Sequence, residues 1–137
     1  MDSVVTEGRT DADDRFETAR ITAAVDALAE KHAGREDLFR SSLAQLLKGE
    51  MIAARAEAQA ILLKDRHGRR CAERLCFMQD EIIRILYDAA TRHLYRSHIP
   101  SGEERMAVVA TGGYGRGLMA PESDIDLLFI LPYKQTA

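Results

Sequence analysis

The stretch TGGYGRGLMAPESDIDLLF, residues 111–129, decides how the rest of this chain is read. A β-type run, residues 106–111, leads into it. Four glycines follow within six residues: Gly112, Gly113, Gly115 and Gly117. Glycine reaches positive φ and lets other groups approach the backbone closely. A turn of this composition can therefore present successive N–H groups to an anion, and a short helix or turn starting there adds to that. The same composition also suits a plain tight connection. Residues 125–131 are almost continuously apolar and stop at Pro132, the pattern of a strand buried on both faces.

Ser123-Asp124-Ile125-Asp126 sits at the entry to that strand. Side chains two apart on a strand share a face, which places Asp124 and Asp126 side by side at the mouth of a sheet. Carboxylates held that close repel, and a divalent cation with oxygen ligands, magnesium above all, relieves the repulsion. An isolated pair of this spacing also arises where one Asp caps a turn and the other is solvated. The conjunction shifts the reading: a phosphate-cradling turn, with paired carboxylates about a dozen residues on, has the parts for metal-assisted attack on a nucleotide phosphate. Rival phosphate motifs fit less well. A P-loop needs a Lys after its last glycine, and none follows here. A dinucleotide fingerprint opens a long helix, and Pro121 leaves room for only a turn or two.

Upstream the pattern is helical. Ile21, Val25 and Leu28 mark one helix, with Gly34 offered as its C-cap. Leu43, Leu46, Leu47, Met51, Ala54, Ala58, Ile61 and Leu62 mark a second that runs across Gly49 and ends near His67 and Gly68. Leu75, Met78, Ile82, Ile85, Leu86 and Ala89 mark a third that frays near Ser97, ahead of a turn cluster at 99–102. The predicted division is a disordered tail over 1–13, a helical region over 14–100, and a strand–glycine turn–strand unit over 103–137. The fold class is α+β.

The chain has 137 residues, the size of one domain. Lys and Arg number 19 against 22 Asp and Glu, a formal net charge of −3, which gives no electrostatic footprint for non-specific nucleic-acid binding. No apolar run approaches the roughly 20 residues that span a bilayer, and the polar start of the chain is unlike a secretory signal. Cys71 and Cys76 have neither disulfide nor zinc spacing and are read as reduced and buried, in a cytoplasmic protein. His32, His67, His93 and His98 show no metal spacing. Arg92, His93, Arg96 and His98 form a basic helix end that complements the helix dipole. The charged bend 65–70 reads as solvated, and Tyr114 as a packing residue.

The string quoted at the outset resembles the bacterial PII uridylyltransferase/uridylyl-removing family, and more broadly the polymerase-beta-type nucleotidyltransferase superfamily, whose signature is Gly-Gly or Gly-Ser, a spacer, then Asp-x-Asp. The resemblance implies transfer of UMP from UTP to a tyrosine of the small regulator PII. It implies that Asp124 and Asp126 are the catalytic metal ligands, for two Mg2+ ions. Gly112 and Gly113 would meet the phosphates through backbone N–H groups, and Ser123 would add a hydroxyl. Arg116 would either contact phosphate or pair with a carboxylate. Leu118 stands where most members carry an acid. The family also has a third carboxylate on a later strand, a hydrolase domain that removes UMP, and domains that sense glutamine as effector. None falls within these residues, so the chain is expected to be a fragment that is inactive alone. The competing expectations are another nucleotidyltransferase, such as the glutamine synthetase adenylyltransferase, and a non-catalytic helical interaction module.

Overall fold

The structure, a computed structural model, describes residues 17–95 and 106–131. The expected tail over 1–13 and the turn cluster at 99–102 lie outside the described residues, as do Arg96 and His98.

Three helices form the first part: α1 (Thr18–Lys31), α2 (Glu36–Asp65) and α3 (Gly68–Ala89). The apolar stripes of the sequence become their buried faces. Ile21 and Val25 of α1, Phe39, Leu43 and Leu47 of α2, and Ile85 and Ala89 of α3 make one cluster. Ala58 of α2 with Cys71, Leu75, Cys76, Met78 and Ile82 of α3 make a second. Early α2 therefore meets late α3, and late α2 meets early α3, which makes the two an antiparallel hairpin. Arg66 and His67 alone connect them. Arg66 takes the left-handed conformation at φ 57°, and its N–H reaches the Leu62 carbonyl at 2.8 Å.

Helix ends differ slightly from the sequence reading. His32, rather than Gly34, caps α1. Gly34 makes the turn beyond it at φ 79°, where a β-carbon is disfavoured. After Ala89 the third helix widens into one π-type turn, Ala90–Leu94. The basic residues there do more than face a dipole. Arg92 bonds both Asp88 and Asp26, and His93 lies 3.0 Å from Asp26, which ties this turn back to α1. Arg20 ties α1 to α2 through two 2.9 Å bonds to Glu50. Both cysteines are buried and not joined in a disulfide, and residues 65–70 are exposed.

The second part is a hairpin docked on α3. Strand β1 (Ala107–Thr111) leads into a single helical turn, α4 (Gly112–Gly115), and strand β2 (Asp126–Ile130) returns antiparallel to β1. The register pairs Ala107 with Ile130 and Thr111 with Asp126. Tyr114 and Met119 are buried in the second helical cluster, and Ala110 and Leu127 lean on it. The strand expected to be buried on both faces is not: Leu128, Phe129 and Ile130 are 52, 56 and 50% exposed. Two strands form the sheet among the described residues, and in β2 it is Leu127 that turns to the helices. Continuous apolarity records what the strand can bury, and here only one side finds a partner.

Candidate nucleotide site

The site begins at the end of β1. Thr111 is extended, and Gly112 then reverses the chain at φ 62°, a conformation that costs a residue with a β-carbon about 1–2 kcal/mol. Gly112 through Gly115 close one helical turn, so the segment read as a loop is helical at its start. The first N–H groups of any helix have no partner within it, and here the first two belong to Gly112 and Gly113. Gly117 makes a second positive-φ turn at 76°.

Cross-strand pairing brings Asp126 beside Thr111, and its carboxylate then lies over the next residue. A β-carbon built on Gly112 would stand 2.5 Å from Oδ2 of Asp126. The positive φ calls for a glycine there, and a β-carbon would also push the carboxylate aside. Gly115 is required for a different reason: a β-carbon on it would strike the Ala110 carbonyl oxygen at 2.7 Å. Gly113 has room, with the Arg116 guanidinium 3.7 Å from where its β-carbon would be.

Ser123 has a structural partner that the sequence did not announce. Its Oγ accepts the Ala120 N–H at 2.9 Å, and its own N–H reaches the Ala120 carbonyl at 3.1 Å, closing the turn around Pro121. The hydroxyl keeps its proton for a further acceptor. Asp124 departs from expectation. Strand β2 begins at Asp126, and Asp124 belongs to the irregular lead-in over 123–125. The turn closed by Ser123 uses up the backbone that would have extended the strand, so the two-residue alternation does not set this pair. Asp124, Asp126, Ser123 and Arg116 are all exposed, and Arg116 pairs with no carboxylate among the described residues.

One contact has no sequence signal strong enough to announce it. The Tyr114 hydroxyl donates to Oδ1 of Asp80 at 2.5 Å. Burial, and then this hydrogen bond, push the Tyr114 phenol well above its ordinary range. Ala72, Cys76 and Asp80 recur every four residues on α3 and lie under the glycine turn. The Met119 N–H meets the Ala72 carbonyl at 3.5 Å, Cys76 shares a cluster with Tyr114, and Asp80 accepts from it. The i, i+4, i+8 spacing was visible in the sequence. Its partner was not.

A hard divalent cation asks for oxygen donors, and magnesium is commonly held by one or two carboxylates together with substrate phosphates. Asp124 and Asp126 fit that donor set. No group of three or more His, Cys, Asp or Glu residues is arranged for a metal among the described residues. No helix among them is long and apolar enough to cross a membrane.

The nucleotidyltransferase domain family matches residues 99–136, the stretch that holds β1, the helical glycine turn and the acidic entry of β2. The relatives narrow this. The chain is 85% identical over its whole length to the bifunctional uridylyltransferase/uridylyl-removing enzyme of Bradyrhizobium diazoefficiens, and 70% identical over its whole length to that of Nitrobacter hamburgensis. It is 68% identical over 92% of its length to that of Rhodopseudomonas palustris. Along its whole length the chain matches bifunctional uridylyltransferase/uridylyl-removing enzymes at high identity. It spans about 15% of the length of these curated relatives. No solved structure gives a significant match.

Proposed function

We propose that the glycine turn and the acidic entry of β2 take part in transfer of UMP from UTP to a tyrosine hydroxyl of the regulator PII. The observation that carries the reading is the seat of the Asp126 carboxylate against the α-carbon of Gly112. That contact brings a carboxylate oxygen to the glycine turn, which supports a shared role for the two.

In this reading the N–H groups of Gly112 and Gly113 hold the β- and γ-phosphates, and the Ser123 hydroxyl donates to phosphate while its oxygen keeps the turn closed. Arg116, exposed next to Gly113, supplies a cation to the same anion. Asp124 and Asp126 are the residues that would hold Mg2+. Bound there, magnesium neutralises the triphosphate and lowers the pKa of an attacking hydroxyl. The chain's own contribution is orientation, since phosphoryl and nucleotidyl transfer depend chiefly on positioning and electrostatic stabilisation. The names of the relatives support uridylyl transfer over adenylyl transfer. The glutamine effector and the removal of UMP belong to the same proposal at the length of the whole enzyme.

In the full-length enzyme, Asp126→Asn is expected to lower UMP incorporation into PII by at least about a hundredfold with unchanged helix content, because a charged ligand becomes neutral. Labelled UTP and circular dichroism measure the two. Transfer within a few-fold of the parent would remove Asp126 from the site.

A further inference from the structure

We propose that Asp80 is a positioning residue: through its hydrogen bond with Tyr114 it holds the glycine turn at the place where Gly112 meets Asp126. The proposal rests on the nucleotide-site reading above and deepens it.

Helix α4 is four residues long. A single turn cannot hold itself, because fixing the first hydrogen bond costs more than it returns. Its position must be set from outside. Two strand contacts act on one side: Asp126 over Gly112, and the Ala110 carbonyl under Gly115. On the other side stands α3, a 22-residue helix that carries much of the core. Tyr114 lies between these, in the middle of α4, and is only 5% exposed.

The Tyr114 ring packs among apolar groups of the second cluster, which is a non-directional hold. Its hydroxyl gives direction. A phenol donating to a carboxylate at 2.5 Å has the length of a charge-assisted bond, the stronger class. A second tether, Met119 N–H to the Ala72 carbonyl, sits eight residues earlier on α3, about 12 Å along its axis. Two points that far apart fix both the height and the tilt of the segment between them. Tyr114 is one residue from Gly113 and two from Gly112. Releasing its hydroxyl therefore moves the N–H groups that would face the triphosphate. Asp80 acts only through Tyr114.

The test uses the full-length enzyme and Mg·UTP, at temperatures well below unfolding. Tyr114→Phe and Asp80→Ala are each expected to raise KM for UTP about tenfold or more, the value of one lost hydrogen bond to a charged group. The double variant is expected to be no worse than either single one, because both remove the same bond. Asp80→Asn keeps an oxygen acceptor without the charge and is expected to recover part of the lost affinity. A merely structural contact would lower the melting temperature and leave KM in place. Unchanged KM in Tyr114→Phe, additive losses in the double variant, or Asp80→Asn as poor as Asp80→Ala would each overturn the proposal. Asp126→Asn is the control: if it transfers UMP normally, the site reading fails and this proposal with it. If it is inactive while Tyr114→Phe matches the parent, the positioning role alone fails.

Discussion

Gly112 carries two constraints at one α-carbon: a left-handed backbone and a carboxylate at the distance of a clash. The other glycines of the motif divide by the same test, and this gives a ranked prediction. Gly112→Ala and Gly115→Ala are each expected to destabilise the fold by about 1–3 kcal/mol, the first through φ and Asp126, the second through the Ala110 carbonyl. Gly113→Ala is expected to stay within about 0.5 kcal/mol of the parent, since its β-carbon meets only ordinary contacts and the N–H is kept. Urea unfolding of the three variants measures the order. A Gly113 variant as unstable as the other two would show that the turn sits differently. The sequence made a glycine-rich turn after a strand legible. It did not tell which glycine is there for φ and which for a neighbour, because Ala110 and Asp126 approach only once α4 closes and β2 pairs with β1.

The helices were the most legible elements, since a 3.6-residue apolar period needs no knowledge of what packs on it. The stripe of α2 crosses Gly49 unbroken, and the structure agrees: Gly49 lies inside the 30-residue helix on its exposed side. A β-carbon there would meet nothing within 4 Å. Gly49→Ala is therefore expected to stabilise the protein by about 1 kcal/mol, the helix-propensity difference between the two residues. A shifted urea midpoint with an unchanged slope would register it; no shift would mean that α2 is not a regular helix at this point. Strand β2 was legible as a strand but not in its burial. The distance between Asp124 and the start of β2 was equally hidden, because it depends on the hydroxyl of Ser123 closing a turn around Pro121.

At the scale of the molecule, each end of the helical bundle combines an apolar cluster with an ion pair. At the end near α4, Arg74 lies 3.9 Å from Asp65 beside the second cluster. The other end adds a charged tie, in which Asp26 of α1 meets His93 and Arg92. The hydrogen bond from His93 first, and then that from Arg92, hold the Asp26 carboxyl below its usual range. A carboxylate depressed in the folded state contributes stability above its unfolded pKa, about 4, and loses it as pH falls through the folded value. The parent is thus expected to lose more stability than Asp26→Asn on acidification from about pH 5 to pH 3. Denaturant unfolding at several pH values reads the difference, and parallel curves for the two proteins would mean that the tie does not form. No composition or motif predicted this pairing, since Asp26 and His93 stand 67 residues apart.

The hairpin register, Thr111 opposite Asp126, also bears on the order of events in folding. Every residue assigned to the phosphates and the metal lies between Gly112 and Asp126, inside one loop closed by neighbouring strands. Closing so short a loop carries little entropy penalty compared with joining distant segments. Its platform, α3, precedes it in the chain. The glycine turn and its hairpin can therefore take shape as these residues leave the ribosome, with the helix they dock on already made.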